Sequence, residues 1–199
     1  MRVIVGCEFS QVVTKAFRAR GHEAYSCDLL PTEGNPEWHF QEDIFAVLSR
    51  NKFDLGIFHP VCRYLSVSGM HWTTRGLRDP QLTEDALEFV RMLMDAPIPR
   101  ICIENPVSII STRIRTPDQI VQPWMFGHDA SKKTCLWLKN LPKLTPTNII
   151  TKGRYANQTA SGQNKLGPSP TRAHERSRTY SGLAEAMATQ WGIERIEGK

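Results

Sequence analysis

No apolar run in the 199-residue sequence approaches the roughly 18 residues that a membrane-spanning helix needs. The run Val3-Ile4-Val5 is too short for a secretory h-region before Glu8 interrupts it, so a soluble cytoplasmic protein with no membrane partner is expected. Five cysteines, Cys7, Cys27, Cys62, Cys102 and Cys135, form no Cys-x-x-Cys pair and no zinc-type spacing with histidine. That pattern excludes a short zinc module, leaves no metal site to expect, and fits free thiols in a reducing compartment. No repeat occurs at any period, and the full glycine-rich dinucleotide fingerprint is missing. A hydrophobic content of 40% is enough for one core, so residues 1–199 read as a single domain.

Charge is mildly positive, 25 basic residues against 20 acidic, and its distribution says more than its size. Between Lys132 and Arg178 ten basic residues stand against Glu175 alone, so that half of the chain could face phosphates.

Val3, Ile4 and Val5 predict a strand covered on both faces. Val12, Val13, Ala16 and Phe17 recur at helical spacing, with Ser10 as the expected cap and Gly21 as the stop. Ala24 to Cys27 predicts a second strand, Ile44 to Leu48 a helix, and Leu55 to Phe58 a further core strand. Glu84 to Ala96 carries Ala86, Leu87, Val90, Leu93 and Met94 on one helical face, and Arg100 to Ile103 is the next strand. Alternation of this kind implies an α/β fold with a Rossmann-like, doubly wound, mostly parallel sheet. Thr134 to Leu138 predicts a late strand on an antiparallel edge. From Pro142 to Pro170 the composition turns to Pro, Gly, Thr, Asn and Lys, which predicts a long functional loop. Leu183 to Trp191 predicts a closing helix that Gly192 ends.

In such a sheet ligands bind beyond the carboxyl ends of the strands, and four strand ends carry notable residues. Gly6-Cys7-Glu8-Phe9-Ser10 is either a cofactor-binding turn or a plain βα turn. Asp28, about twenty residues on, is either an acceptor for ribose hydroxyls or an Asx cap of its own loop. Asp43 before Ile44 is a third polar contact or a helix N-cap. Cys62 follows a buried strand with Arg63 and a possible helix start nearby to favour thiolate; the alternative is simple packing. Glu104 ends another strand, where burial would raise its pKa and let it donate a proton near neutrality; the alternative is a pair with Arg100.

These residues, in this order, resemble the DNA cytosine-C5 methyltransferase family, and in particular its short phage and prophage members. Pro60-Val61-Cys62-Arg63-Tyr64-Leu65-Ser66 is similar to the family's nucleophile loop, with Val61 standing where the family has proline and Arg63 where it has glutamine. Glu104-Asn105-Pro106 is similar to its Glu-Asn-Val motif, and Ser131-Lys132-Lys133 to Leu138 is placed like its basic strand, with lysines in place of arginines.

The resemblance implies the class I S-adenosylmethionine-dependent methyltransferase fold and S-adenosylmethionine as cofactor. Its site would be Gly6, Cys7, Glu8, Phe9, Ser10, Asp28, Leu29, Asp43, Ile44, His59 and Pro60, covered by Ser181 on a returning helix at about 181–191. Cys62 would add to C6 of a flipped-out cytosine while Glu104 acts at N3. Ser66, Lys132, Lys133, Arg172, Arg176 and Arg178 would contact DNA. With only about 142–171 to serve as a recognition segment, duplex DNA would be read with low specificity, or a protein partner or second copy would supply recognition. Alternatives of the same fold are pyrimidine modification on RNA or a free nucleotide, and a cofactor- or DNA-binding protein without turnover.

Overall fold

Val3, Ile4 and Val5 are completely buried in strand β1, Arg2–Gly6, and their side chains alternate between two cores. Val3 and Val5 join Val13, Phe17, Leu136 and the apolar face of the last helix, whereas Ile4 joins Ile44, Val47, Leu87, Val90, Leu93 and Trp137. A strand at the centre of the sheet, buried on both faces, has no polar side to offer, which is why the run is continuous.

In the computed structural model, which describes residues 1–162, 164–167, 169 and 172–193, the remaining strands are β2 Glu23–Cys27, β3 His39–Phe40, β4 Leu55–Phe58, β5 Arg100–Pro106, β6 Gln119–Val121 and β7 Thr134–Lys139. They form one sheet in the order β3-β2-β1-β4-β5-β7-β6. All ladders from β3 to β5 are parallel, and β7 runs antiparallel to both its neighbours. The sheet is therefore Rossmann-like, and its order reverses between β1 and β4, where a ligand crevice opens. The described helices are α1 Val12–Arg18, α2 Ile44–Arg50, α3 Val67–Thr74, α4 Gln81–Met94, α5 Ile110–Arg113, α6 Arg172–Ser177 and α7 Ser181–Trp191. Helices α1 and α7 supply one core, α2 and α4 the other. Among the described residues no helix is long and apolar enough to cross a membrane.

Several expectations need correcting. The antiparallel strand β7 is not an edge, because the three-residue β6 pairs outside it. Helix α4 begins at Gln81, after Pro80, rather than at Glu84. Ser10 does not cap α1. Gln11, in the left-handed region at φ 57°, is the N-cap residue, and the buried Glu8 carboxylate closes the helix end instead. It accepts from Val13 N at 2.7 Å, Thr14 N at 3.3 Å and Thr14 Oγ1 at 2.7 Å. Glu8→Ala leaves those buried donors unpaired and is expected to cost about 1–3 kcal/mol, read as a lower urea midpoint. An unchanged midpoint would show that water replaces the carboxylate at no cost.

Candidate active site

The turn after β1 is shaped by contact. A Cβ on Gly6 would lie 2.5 Å from Phe58 Cδ1, so only glycine lets β1 and β4 approach as they do. Cys7 follows with φ 58°, a left-handed conformation that costs a non-glycine residue roughly 1–2 kcal/mol and that clusters at functional turns. Beyond it lies a largely apolar cavity of about 360 Å³. Of the residues expected to hold a cofactor, Cys7, Asp28, Leu29, Asp43, Ile44 and Pro60 line it. Asp28 uses Oδ1 to accept from Leu30 N at 2.9 Å, and Asp43 uses Oδ1 on Phe45 N and Ala46 N. Both capping roles weighed from sequence are thus present, and each aspartate keeps Oδ2 for other partners.

The other expected cofactor residues lie outside this lining. Gly6 supports the turn, Glu8 caps α1, and Ser10 does not line the cavity. The Phe9 ring stacks on His174 with centroids 4.6 Å apart. Ser181 opens α7 with Oγ 3.4 Å from His128 Nε2. Sequence reading missed the rest of the wall, which includes Val61 and Tyr64 from the loop after β4 and Leu82 and Phe89 from α4. The position of Leu82 and Phe89 on one face of α4 was the available signal.

Cys62 opens a single 3-10 turn, Cys62–Tyr64, after β4, and its carbonyl accepts from Leu65 N and Ser66 N. Glu104 lies near the end of β5. Two contacts tie these ends together: Asn105 Nδ2 donates to the Pro60 carbonyl at 2.8 Å, and His59 Nδ1 stands 2.7 Å from Glu104 Oε2. Further on, Ile109 N donates to Leu65 O, and Val67 N to Val107 O. The loops after β4 and β5 are therefore one clamped unit. Glu104 is paired with His59 and not with Arg100, whose guanidinium serves the Asp54 and Trp191 carbonyls.

The electrostatics reverse two expectations. Burial would raise the Glu104 pKa, but the His59 hydrogen bond and the charges of Lys132 and His59 outweigh it and hold Glu104 below the usual carboxylate range. Cys62 is exposed, yet loss of water around the thiol pushes its pKa up; Lys132 and Arg176 oppose this, and Glu104 reinforces it. Arg63 leans toward the Tyr64 ring, 5.9 Å from its centroid, and the opposing cations come from Lys132 and Arg176 instead. At rest the site pairs a thiol with a carboxylate, the inverse of the thiolate and acid expected.

Lys132, expected as a DNA contact, thus acts on both Cys62 and Glu104, while its Nζ donates to the Arg176 carbonyl at 3.0 Å. Lys133 and Arg176 are exposed. Arg178 is engaged by Glu33 at 2.6 Å, and Glu33 also meets His174. Arg172 opens α6, and Thr171 lies outside the described residues. Ser66 is buried as the N-cap of α3, with Oγ accepting from Gly69 N at 3.1 Å. Helix α3 itself went unread, because it buries nothing and so has no apolar face to reveal it. Val67, Trp72 and Leu77 are more than half exposed, and Arg63, Arg75 and Arg78 accompany them without one acidic residue from 61 to 78. Among the described residues no group of three His, Cys, Asp or Glu is placed to hold a metal ion.

The strand order, with its single antiparallel β7 beside β5, is Rossmann-like. No family model and no curated protein matches the chain. Among solved structures, the chain is similar to a candidate DNA modification methyltransferase encoded within a prophage of E. coli, with a TM-score of 0.47 and 13% identity over 75% of this chain. The match covers 52% of that protein, so this chain spans about half of its length.

Proposed function

We propose that the chain transfers a methyl group from S-adenosylmethionine to C5 of cytosine in DNA through a covalent adduct on Cys62. The observation that carries this reading is the clamp of Cys62 and Glu104 onto adjacent strand ends, coupled through Lys132 and set beside the cavity rimmed by Asp28 and Asp43. The cavity suits the cofactor: apolar walls from Leu29, Ile44, Pro60 and Phe89 take an adenine face, and the free Asp28 and Asp43 oxygens accept from hydroxyl and amino groups. When bound, S-adenosylmethionine supplies an electrophilic methyl group on a sulfonium.

The chain's own residues do the rest. Cys62 loses its proton to solvent, favoured by the positive charges of Lys132 and Arg176, and its sulfur adds to C6 of the flipped base. Glu104 acts at N3, which places electron density at C5, the atom that accepts the methyl group. Loss of the C5 proton to water re-forms the C5–C6 double bond and expels Cys62 as thiolate, which takes a proton from solvent, while N3 gives its proton back to Glu104. Lys132, Lys133, Arg172 and Arg176 form the phosphate face, and the exposed Val67 and Trp72 give α3 apolar side chains for the opened base stack. Residues from about 142 to 171 act as a minimal recognition segment within one domain, so specificity is low unless a partner or second copy adds to it. A second reading, binding without turnover, draws on one observation: Cys62 rests as a thiol.

Mass spectrometry of nucleosides from duplex DNA incubated with protein and cofactor is expected to show 5-methylcytosine. Its absence across duplexes of varied sequence, with S-adenosylmethionine still bound in a calorimeter, would reject the enzyme and leave the binding protein.

A further inference from the structure

We propose that His59 is the positioning residue of Glu104, its Nδ1 pinning one carboxylate oxygen so that the other is presented to N3 of the pyrimidine. The pairing is dictated by the backbone: Phe58 of β4 lies opposite Ile103 of β5 in a parallel ladder, so the next residues along, His59 and Glu104, emerge side by side. His59 N donates to the Gly6 carbonyl at 3.0 Å, and Asn105 holds the Pro60 carbonyl, so the backbone that carries the ring is fixed on both sides.

The environment makes this contact strong. The two side chains are 8% and 9% exposed, and the hydrogen bond spans 2.7 Å. Burying a polar ring where an apolar one would pack costs free energy unless its bond returns it. Among the described residues His59 Nε2 is enclosed with no partner, so the Glu104 contact alone engages the ring's polar atoms. Glu104 Oε1 takes no hydrogen bond from a described residue, yet it is not among the enclosed atoms that lack partners, which leaves it open to a ligand. The other ionisable groups around Glu104 are Lys132 ahead of β7 and the thiols of Cys62, Cys102 and Cys135.

A carboxylate held this way accepts hydrogen bonds, whereas N3 of cytosine is itself an acceptor. A proton must therefore reach Oε1 as the base docks. It then passes from Oε1 to the N3 lone pair with no change of oxidation state, and the carboxylate left behind returns to its His59 bond. His59 sets how readily that proton is taken up and given away. This consequence rests on the pyrimidine reading above; the positioning of Glu104 does not.

The test separates the two. The Glu104 carboxyl carbon is titrated by 13C NMR in the full chain without ligands, its signal identified by its loss in Glu104→Gln. Wild type is expected to titrate below the usual carboxylate range. His59→Leu is expected to raise the midpoint by about one pH unit or more, and His59→Asn, which keeps a neutral N–H donor, to recover part of that. The pH at which methyl transfer falls off should rise in the same order, with KM for DNA little changed. A Glu104 midpoint that does not move in a folded His59→Leu protein overturns the proposal. If the midpoint moves but no variant methylates, His59 keeps its role and the enzymatic reading fails instead.

Discussion

On the proposed mechanism, Cys62→Ala is expected to abolish methyl transfer, by about 10⁴-fold or more, and to eliminate the covalent complex expected of wild type on duplex DNA containing 5-fluorocytosine. The size follows from the role proposed for the sulfur: without it no bond would form at C6, and Glu104 would have no activated ring to act on. Cofactor binding should survive, because Cys62 is not part of the cavity wall, where Cys7, Asp28 and Asp43 stand. Mass spectrometry of the trapped complex and calorimetry of the variant make the two measurements. Residual methylation above about a hundredth of wild type would remove Cys62 from the chemistry and move attention to the open Glu104 Oε1.

Trp191→Ala should be the most damaging single change to stability, by about 3–5 kcal/mol, which lowers the thermal midpoint by roughly 6–20 °C in a domain of this size. Trp191 is 1% exposed at the end of α7, within the same core as Val3, Phe17 and Leu136. Its ring nitrogen donates to the Pro142 carbonyl at 2.9 Å, and its own carbonyl accepts from Arg100 at 3.2 Å. The side chain therefore joins the last helix to the chain just past β7, while its backbone carbonyl meets the start of β5 and is kept in the alanine variant. Alanine would leave a cavity and an unpaired Pro142 carbonyl together. A midpoint within 3 °C of wild type would mean that α7 docks through its alanines and Met187 alone.

The central strands could be read from the sequence because burial on both faces forces continuous apolar runs, as in Val3-Ile4-Val5 and Leu55-Gly56-Ile57-Phe58. The helices α1, α2, α4 and α7 were legible because each buries one stripe. Strands β3 and β6, of two and three residues, are too short to show any period, and α3 buries no stripe at all. The site was legible in its residue types and less so in its contacts. Asp28 and Asp43 follow their strands, as the sequence order requires, but Glu8 caps α1 because of a left-handed turn at Cys7 and Gln11 that no periodicity announces. The ionisation of Glu104 depends on His59, 45 positions away, and on Lys132, which the ladder of β7 delivers. Charge states of this kind are properties of an assembled neighbourhood, so local sequence pointed the wrong way for both Glu104 and Cys62.

The reversal of β7 sets a minimum reach for the chain that follows it. A six-residue strand carries the backbone about 20 Å from Thr134, beside the site, to Lys139 at the opposite end of the sheet. Arg176 is needed back near Cys62, so the intervening stretch has to climb the whole height of the sheet again. The return can be followed rung by rung: Leu144 meets Gln119, Thr147 meets Met125, Ile150 meets Trp124, Ala156 meets Asp129, and Asn157 reaches Ser131. Each rung fixes one step of an otherwise irregular path. Shortening that path by more than a few residues would detach α6 from the crevice while leaving the sheet intact, whereas insertions at its exposed turn near Gly153 would lengthen only slack. New elements inserted there would leave the ends of β4 and β5 undisturbed.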